Sequence, residues 1–129
     1  MKETTDNNIR NTAESSMTIV ERNMLYDFYG ELLTEHQREV YESIIFQDLS
    51  LSEAAEEFGI SRQGVHDLVR RCDRILENYE EKLGLVGRFR RLRESAEMLC
   101  AATREFSETG DRALLQRIEE LSKHIEENV

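Results

Sequence analysis

The chain has 129 residues, a formal net charge of −10, 34% charged side chains, no proline and no tryptophan. That length can bury a core without disulfide or metal staples, and the three-to-four-residue periodicity with few β-branched runs points to an all-α fold. A surface this acidic is repelled as a whole by phosphate backbones, and no apolar run approaches the roughly 20 residues that cross a bilayer, so membrane insertion is not expected.

Residues 1–16 are Thr-, Asn-, Ser- and acid-rich with little to bury, and read as a disordered polar tail. They lack the apolar core of a signal peptide, so a cytoplasmic location is expected. Thr18 and Glu21 have capping-box spacing, and Val20, Met24, Leu25, Phe28, Leu32 and Leu33 recur at helical intervals, predicting a first helix over 18–33. Its aromatics Tyr26, Phe28 and Tyr29 fit a core or interface better than a stacking platform. A second box, Thr34 with Gln37, opens a helix ending near Gln47, with Val40, Tyr41, Ile44 and Ile45 inward.

Residues 50–74 carry a helix-turn-helix signature. Ser50 and Glu53 cap a short helix whose Leu51, Ala54, Ala55 and Phe58 share a face. Gly59 supplies the turn, Ile60 plugs it, and Ser61 caps the next helix. On that recognition helix Val65, Leu68, Val69, Cys72, Ile75 and Leu76 turn inward, leaving Arg62, Gln63, His66 and Arg70 outward. The outward face is where such a helix would read nucleic acid. Gly64, in its second turn, suggests close backbone approach to a neighbouring helix. Nothing stops the helix before Gly84, so it is predicted over 62–83, about 30 Å long by the helical rise. Its far end needs cover, for which the C-terminal part is the candidate.

Gly84 and Gly87 frame a predicted hinge, followed by a helix over 88–106 with Phe89, Leu92, Ala96, Leu99, Cys100, Thr103 and Phe106 as its apolar stripe. Gly110 breaks it, and Asp111 can cap a last helix with Leu114, Leu115, Ile118, Leu121 and Ile125 inward. The expected organisation is a polar tail over 1–16, a helix-turn-helix domain over 17–83 and a helical extension over 84–129 on the same core.

Charge is unevenly spread: residues 1–58 carry 4 basic and 13 acidic side chains, residues 59–104 carry 10 and 7, and residues 105–129 carry 3 and 7. The basic middle supplies the candidate binding residues, Arg62, Gln63, His66, Arg70, Arg71 and Arg74 on the recognition helix and Arg88, Arg90, Arg91 and Arg93 beyond it. The second group crowds the start of a helix, where each positive charge opposes the macrodipole by about 0.3–1 kcal/mol, so an anionic partner or the acidic remainder of the chain must compensate. Asp67 and Asp73 weaken the field of the recognition helix. His36, His66 and His124 are dispersed, Cys72 and Cys100 lack metal-type spacing and fall at inward positions, and Gly84-Leu-Val-Gly87 is no phosphate loop. No catalytic residue, metal or cofactor is expected.

The blocks Met24-Leu-Tyr-Asp-Phe-Tyr-Gly-Glu-Leu-Leu-Thr34, Leu51-Ser-Glu-Ala-Ala-Glu-Glu-Phe-Gly-Ile-Ser-Arg-Gln-Gly-Val65 and Ile75-Leu-Glu-Asn-Tyr-Glu-Glu-Lys-Leu83 together resemble the YlxM family of small bacterial helix-turn-helix proteins. The resemblance spans about residues 20–95. It implies a cytoplasmic accessory protein of the signal recognition particle pathway, engaging the particle's GTPase or RNA, and it implicates Ser61, Arg62, Gln63, Val65, Asp67 and Arg71. The helix-turn-helix block alone also resembles the promoter-reading C-terminal domain of sigma factors, which implies a DNA-binding transcriptional regulator. A homodimer is a further option, with the apolar stripe of residues 65–83 and the first helix's aromatics meeting across a twofold axis.

Overall fold

Side-chain caps set the helix starts. In the computed structural model, which describes residues 17–129, Thr34 and Gln37 close a reciprocal capping box, as do Ser50 and Glu53, and the Thr18 hydroxyl accepts the Glu21 amide at 3.1 Å. The helices are α1 (Ile19–Tyr29), α2 (Glu35–Ile45), α3 (Leu51–Phe58), α4 (Arg62–Leu83), α5 (Leu85–Thr109) and α6 (Ala113–Asn128), with a 3-10 turn over Gly30–Leu32. Among the described residues all regular structure is helical, so the fold is all-α. The tail assigned to residues 1–16 lies outside the described residues.

Contacts divide the chain into two compact units meeting at Leu83 and Gly84. In the first, α1, α2 and α3 all pack on α4, and α2 also touches α3. Val65, Val69, Cys72 and Leu76 form the spine of the core, fully buried against Tyr29, Val40, Tyr41, Ile44, Leu51 and Ala54. Leu68 and Ile75, expected inside, are half-buried at its edge. Gly59 sits at φ 67°, and its amide reaches Ala55 O, ending α3 and turning the chain into α4.

Two helix ends differ from the expected 18–33 and Gln47. The first helix gives way to the 3-10 turn at Gly30, and α2 stops at Ile45. Its inward face also differs: Val20, Phe28 and Leu32 are exposed, whereas Arg22, Leu25 and Tyr29 are buried. Hydrophobicity alone could not place an arginine inside, and its burial depends on a partner 51 residues away.

Tyrosines tie α1 to its neighbours. Tyr26 stacks on Tyr41 with ring centroids 5.6 Å apart and donates to the Glu42 carboxylate, while Tyr29 stacks on Tyr79 at 5.9 Å and donates to Glu80 Oε1 at 2.6 Å. The second pair brings α1 against the far half of α4. Burial is the largest cause raising the ionisation of Tyr26 and Tyr41 above the usual 10.0, with Glu42 and Asp73 respectively adding to it. In the unfolded chain both phenols ionise near pH 10, while the folded chain holds them neutral. Their contribution to stability is therefore whole below pH ~10 and is lost as pH rises above it. Alkaline titration followed by circular dichroism and phenolate absorbance should show unfolding and the late phenolate signal together.

In the second unit α5 and α6 pair antiparallel, with Arg88 Nε donating to Asn128 O at 2.8 Å where the start of one meets the end of the other. Gly87 lies inside α5, so the break is at Gly84 alone, φ 63°. The α5 seam runs through Leu92, Ser95, Leu99, Ala102 and Phe106, while Phe89, Ala96, Cys100 and Thr103 are exposed. The expected stripe was rotated because Ser95, a buried polar residue, does not register in an apolar count. On α6, Leu114, Ile118, Leu121 and Ile125 are half-buried, Leu115 is exposed, and Asp111 Oδ1 accepts the Ala113 amide at 3.0 Å.

Candidate nucleic-acid interface

Ser61 sets the register of the recognition helix, its Oγ accepting the Gly64 amide at 2.9 Å. Gly64 serves this cap rather than a neighbouring helix: a Cβ there would meet Ser61 Oγ at 3.0 Å, and no atom of another helix is among its nearest neighbours. Arg62 and Gln63 are exposed on the first turn, and Arg70, Arg71 and Arg74 are exposed further along. Gln63 Nε2 donates to Asp67 Oδ1 at 2.9 Å, which lays the amide along the helix surface. His66 was expected to face solvent but is half-buried, its side chain 20% exposed and Nδ1 3.8 Å from Asp67 Oδ1. Arg71 borders a cleft of about 410 Å³ with Thr34, His36, Gln37, Gly64, Asp67 and Leu68.

The second acid of this segment behaves unlike its sequence reading. Asp73 is 3% exposed and points into the core, where Arg22 grips it with two hydrogen bonds, Nε to Oδ1 at 3.1 Å and Nη2 to Oδ2 at 2.6 Å. Tyr41 donates a third, to Oδ1, at 2.7 Å. Three donors from two helices thus satisfy a carboxylate that desolvation would otherwise penalise. Asp73 is matched inside by Arg22 and does not oppose the outer face, so between residues 62 and 74 the exposed charges are Arg62, Arg70, Arg71 and Arg74 against Asp67. Neither Arg22 nor Tyr41 was singled out from the sequence as polar machinery. The detectable signal was an arginine in register with Leu25 and Tyr29 on one face of α1.

The remaining candidates lie in the other unit. Arg88, Arg90, Arg91 and Arg93 are all exposed on α5. Arg88 is engaged by the last turn of α6, where a cation complements the carbonyl end of the helix, and Arg93 Nε lies 3.3 Å from Glu97 Oε1. Arg90 and Arg91 complete this cluster, both exposed to solvent. No group of three or more His, Cys, Asp or Glu residues among those described could hold a metal ion, and no described helix is long and apolar enough to cross a membrane.

A capped α3, a glycine turn and an exposed-arginine α4 packed on two supporting helices define a helix-turn-helix protein. The chain belongs to the UPF0122 family, whose model, described as "Putative helix-turn-helix protein, YlxM / p13 like", matches residues 17–125. A UPF0122 protein of Thermoanaerobacter sp. (strain X514) is 43% identical over 105 residues, covering 81% of this chain and 90% of its own. One from Halalkalibacterium halodurans is 46% identical over 80 residues, 62% of this chain and 73% of its own. A third, from Desulforamulus reducens, is 52% identical over 67 residues, 52% and 57% of the two chains.

Proposed function

We propose that this protein is a non-catalytic regulator that binds nucleic acid through the outward face of α4. The observation that carries this reading is the inward turn of Asp73 onto Arg22, which between residues 62 and 74 leaves Arg62, Arg70, Arg71 and Arg74 exposed against Asp67 alone. Phosphate contacts from Arg70, Arg71 and Arg74 would position the helix, and Arg62 and Gln63, on its first turn, stand where base edges are read. The acidic remainder of the chain limits binding to this face.

The resemblance to YlxM proteins supports a finer reading: a cytoplasmic accessory protein of the signal recognition particle pathway, engaging the particle's RNA or GTPase, with Arg88, Arg90, Arg91 and Arg93 of the second unit as a further set of contacts. Replacing Arg88, Arg90 and Arg91 together with alanine is expected to weaken binding to the particle's RNA or protein several-fold while circular dichroism stays unchanged. Unaltered binding would remove those residues from the site.

The exposed Arg62–Gln63 pair favours a second reading, a sigma-like reader of duplex DNA, because an α-helix enters the major groove of B-form DNA but not the deep, narrow one of A-form RNA. Fluorescence anisotropy with the particle's RNA, with promoter-length duplexes of varied sequence and with the purified GTPase distinguishes the cases. Sequence-dependent duplex affinity supports the DNA reader, and tight binding to the RNA or GTPase supports the accessory protein. Absence of all three would reject both.

A further inference from the structure

The hairpin of α5 and α6 leaves its core unfinished. On α5 only Val86, Ser95 and Ala102 are buried, and α6 has no buried residue. Two helices share one seam, whereas helical bundles bury their apolar stripes by adding further helices.

The face of α5 opposite that seam carries an ordered charge pattern. Arg93, Glu97, Cys100, Ala101, Arg104 and Glu108 follow one another at helical spacing, and all are exposed. Its centre is flat: Ala96, Cys100 and Ala101 floor a shallow groove of about 430 Å³ flanked by Arg93, Glu97 and Arg104. From N to C the stripe reads positive, negative, small, positive, negative. Read backwards, every position takes the opposite sign.

We propose that this stripe is a homodimer interface in which α5 packs antiparallel against α5 of a second copy about a twofold axis passing beside Cys100 and Ala101. The arrangement sets Arg93 opposite Glu108 of the second copy and Glu97 opposite Arg104 of the second copy, and symmetry doubles both pairs. A parallel alignment would oppose like charges, so the pattern selects the antiparallel one. The small residues at the centre let the two backbones approach closely, which large side chains would prevent. The sign reversal about the midpoint makes the stripe complementary to a second copy of itself, as an isologous contact requires. The axis on α5 differs from one formed by the apolar stripe of residues 65–83, whose Val65, Val69, Cys72 and Leu76 are already covered within the first unit.

Sedimentation velocity on the full chain tests the proposal. The unaltered protein should sediment as a dimer. Glu97→Arg and Arg104→Glu should each weaken self-association about tenfold or more, because each opposes like charges at two symmetric positions. The double variant should restore the dimer, and circular dichroism should show equal helix content throughout.

Cys100 gives an independent readout. It is exposed, whereas Cys72 is buried and its thiol is pushed up to about 12 by burial, so maleimides react at Cys100 in the folded protein. A short bis-maleimide should yield a covalent dimer that disappears in Cys100→Ser. A monomeric mass, a dimer indifferent to both charge reversals, failure of the double variant to reassociate, or absence of the Cys100 cross-link would each overturn the interface.

Discussion

Arg22→Met is expected to lower the stability of the folded chain by about 3–5 kcal/mol, the cost of leaving one member of a buried ion pair without its partner. The methionine fills comparable space, so the loss measures the stranded Asp73 carboxylate rather than a cavity. In thermal denaturation this corresponds to a midpoint lower by roughly 10–20 °C. Tyr41→Phe removes only the third donor, at 2.7 Å, and should cost about 1.5–3 kcal/mol, the range for a hydrogen bond to a charged group. The sharper check is the combination of Arg22→Met, Tyr41→Phe and Asp73→Leu. Removing all the polar partners together should recover most of the lost stability, since an apolar replacement of a buried pair is often neutral or better. A triple variant as unstable as Arg22→Met would mean that α1 needs the pair itself for its register on α4.

Replacing Arg70, Arg71 and Arg74 with glutamine should nearly abolish nucleic-acid binding at moderate salt. Each phosphate contact contributes about 0.9 to the slope of log affinity against log salt, so losing three flattens it by about 2.7. These side chains are exposed and make none of the core contacts described above, so the denaturation midpoint should stay within a few degrees of the parent. Arg62→Ala and Gln63→Ala are expected to behave differently. On the duplex-reading model, each should remove about 1–3 kcal/mol of discrimination between a preferred sequence and a mismatched one, while the salt slope changes by one contact at most. A titration series across salt concentrations separates the effects. If the triple variant keeps the parental slope, the outward face of α4 is not the binding surface.

Cap chemistry was directly legible: Thr34 with Gln37 and Ser50 with Glu53 announce helix starts through local hydrogen bonds, and the structure forms both boxes. The span of α4 was legible too, because a 22-residue stretch lies between Ser61 and Gly84 with no residue that stops a helix. The candidate site was read less completely. Arg62, Gln63, Arg70, Arg71 and Arg74 are exposed as expected, but His66 is drawn partly inside, and the basic cluster at Arg88 belongs to a different compact unit from α4. Cys100 was expected inside because helical spacing fits more than one stripe on α5, and only the antiparallel pairing with α6 selects between them.

By itself the sequence determined what depends on near neighbours along the chain: the all-α class, the capped helix starts, the glycine turn at Gly59 and the reach of the recognition helix. Tertiary structure alone decided that Asp73 is withdrawn from the α4 surface. Whether Asp73 faces water or the core depends on Arg22, 51 residues earlier, and on Tyr41, 32 residues earlier, and no local rule relates those positions. The physical reason is desolvation. A carboxylate enters the core only when distant donors converge on it, and that convergence exists only once α1 and α2 have docked on α4.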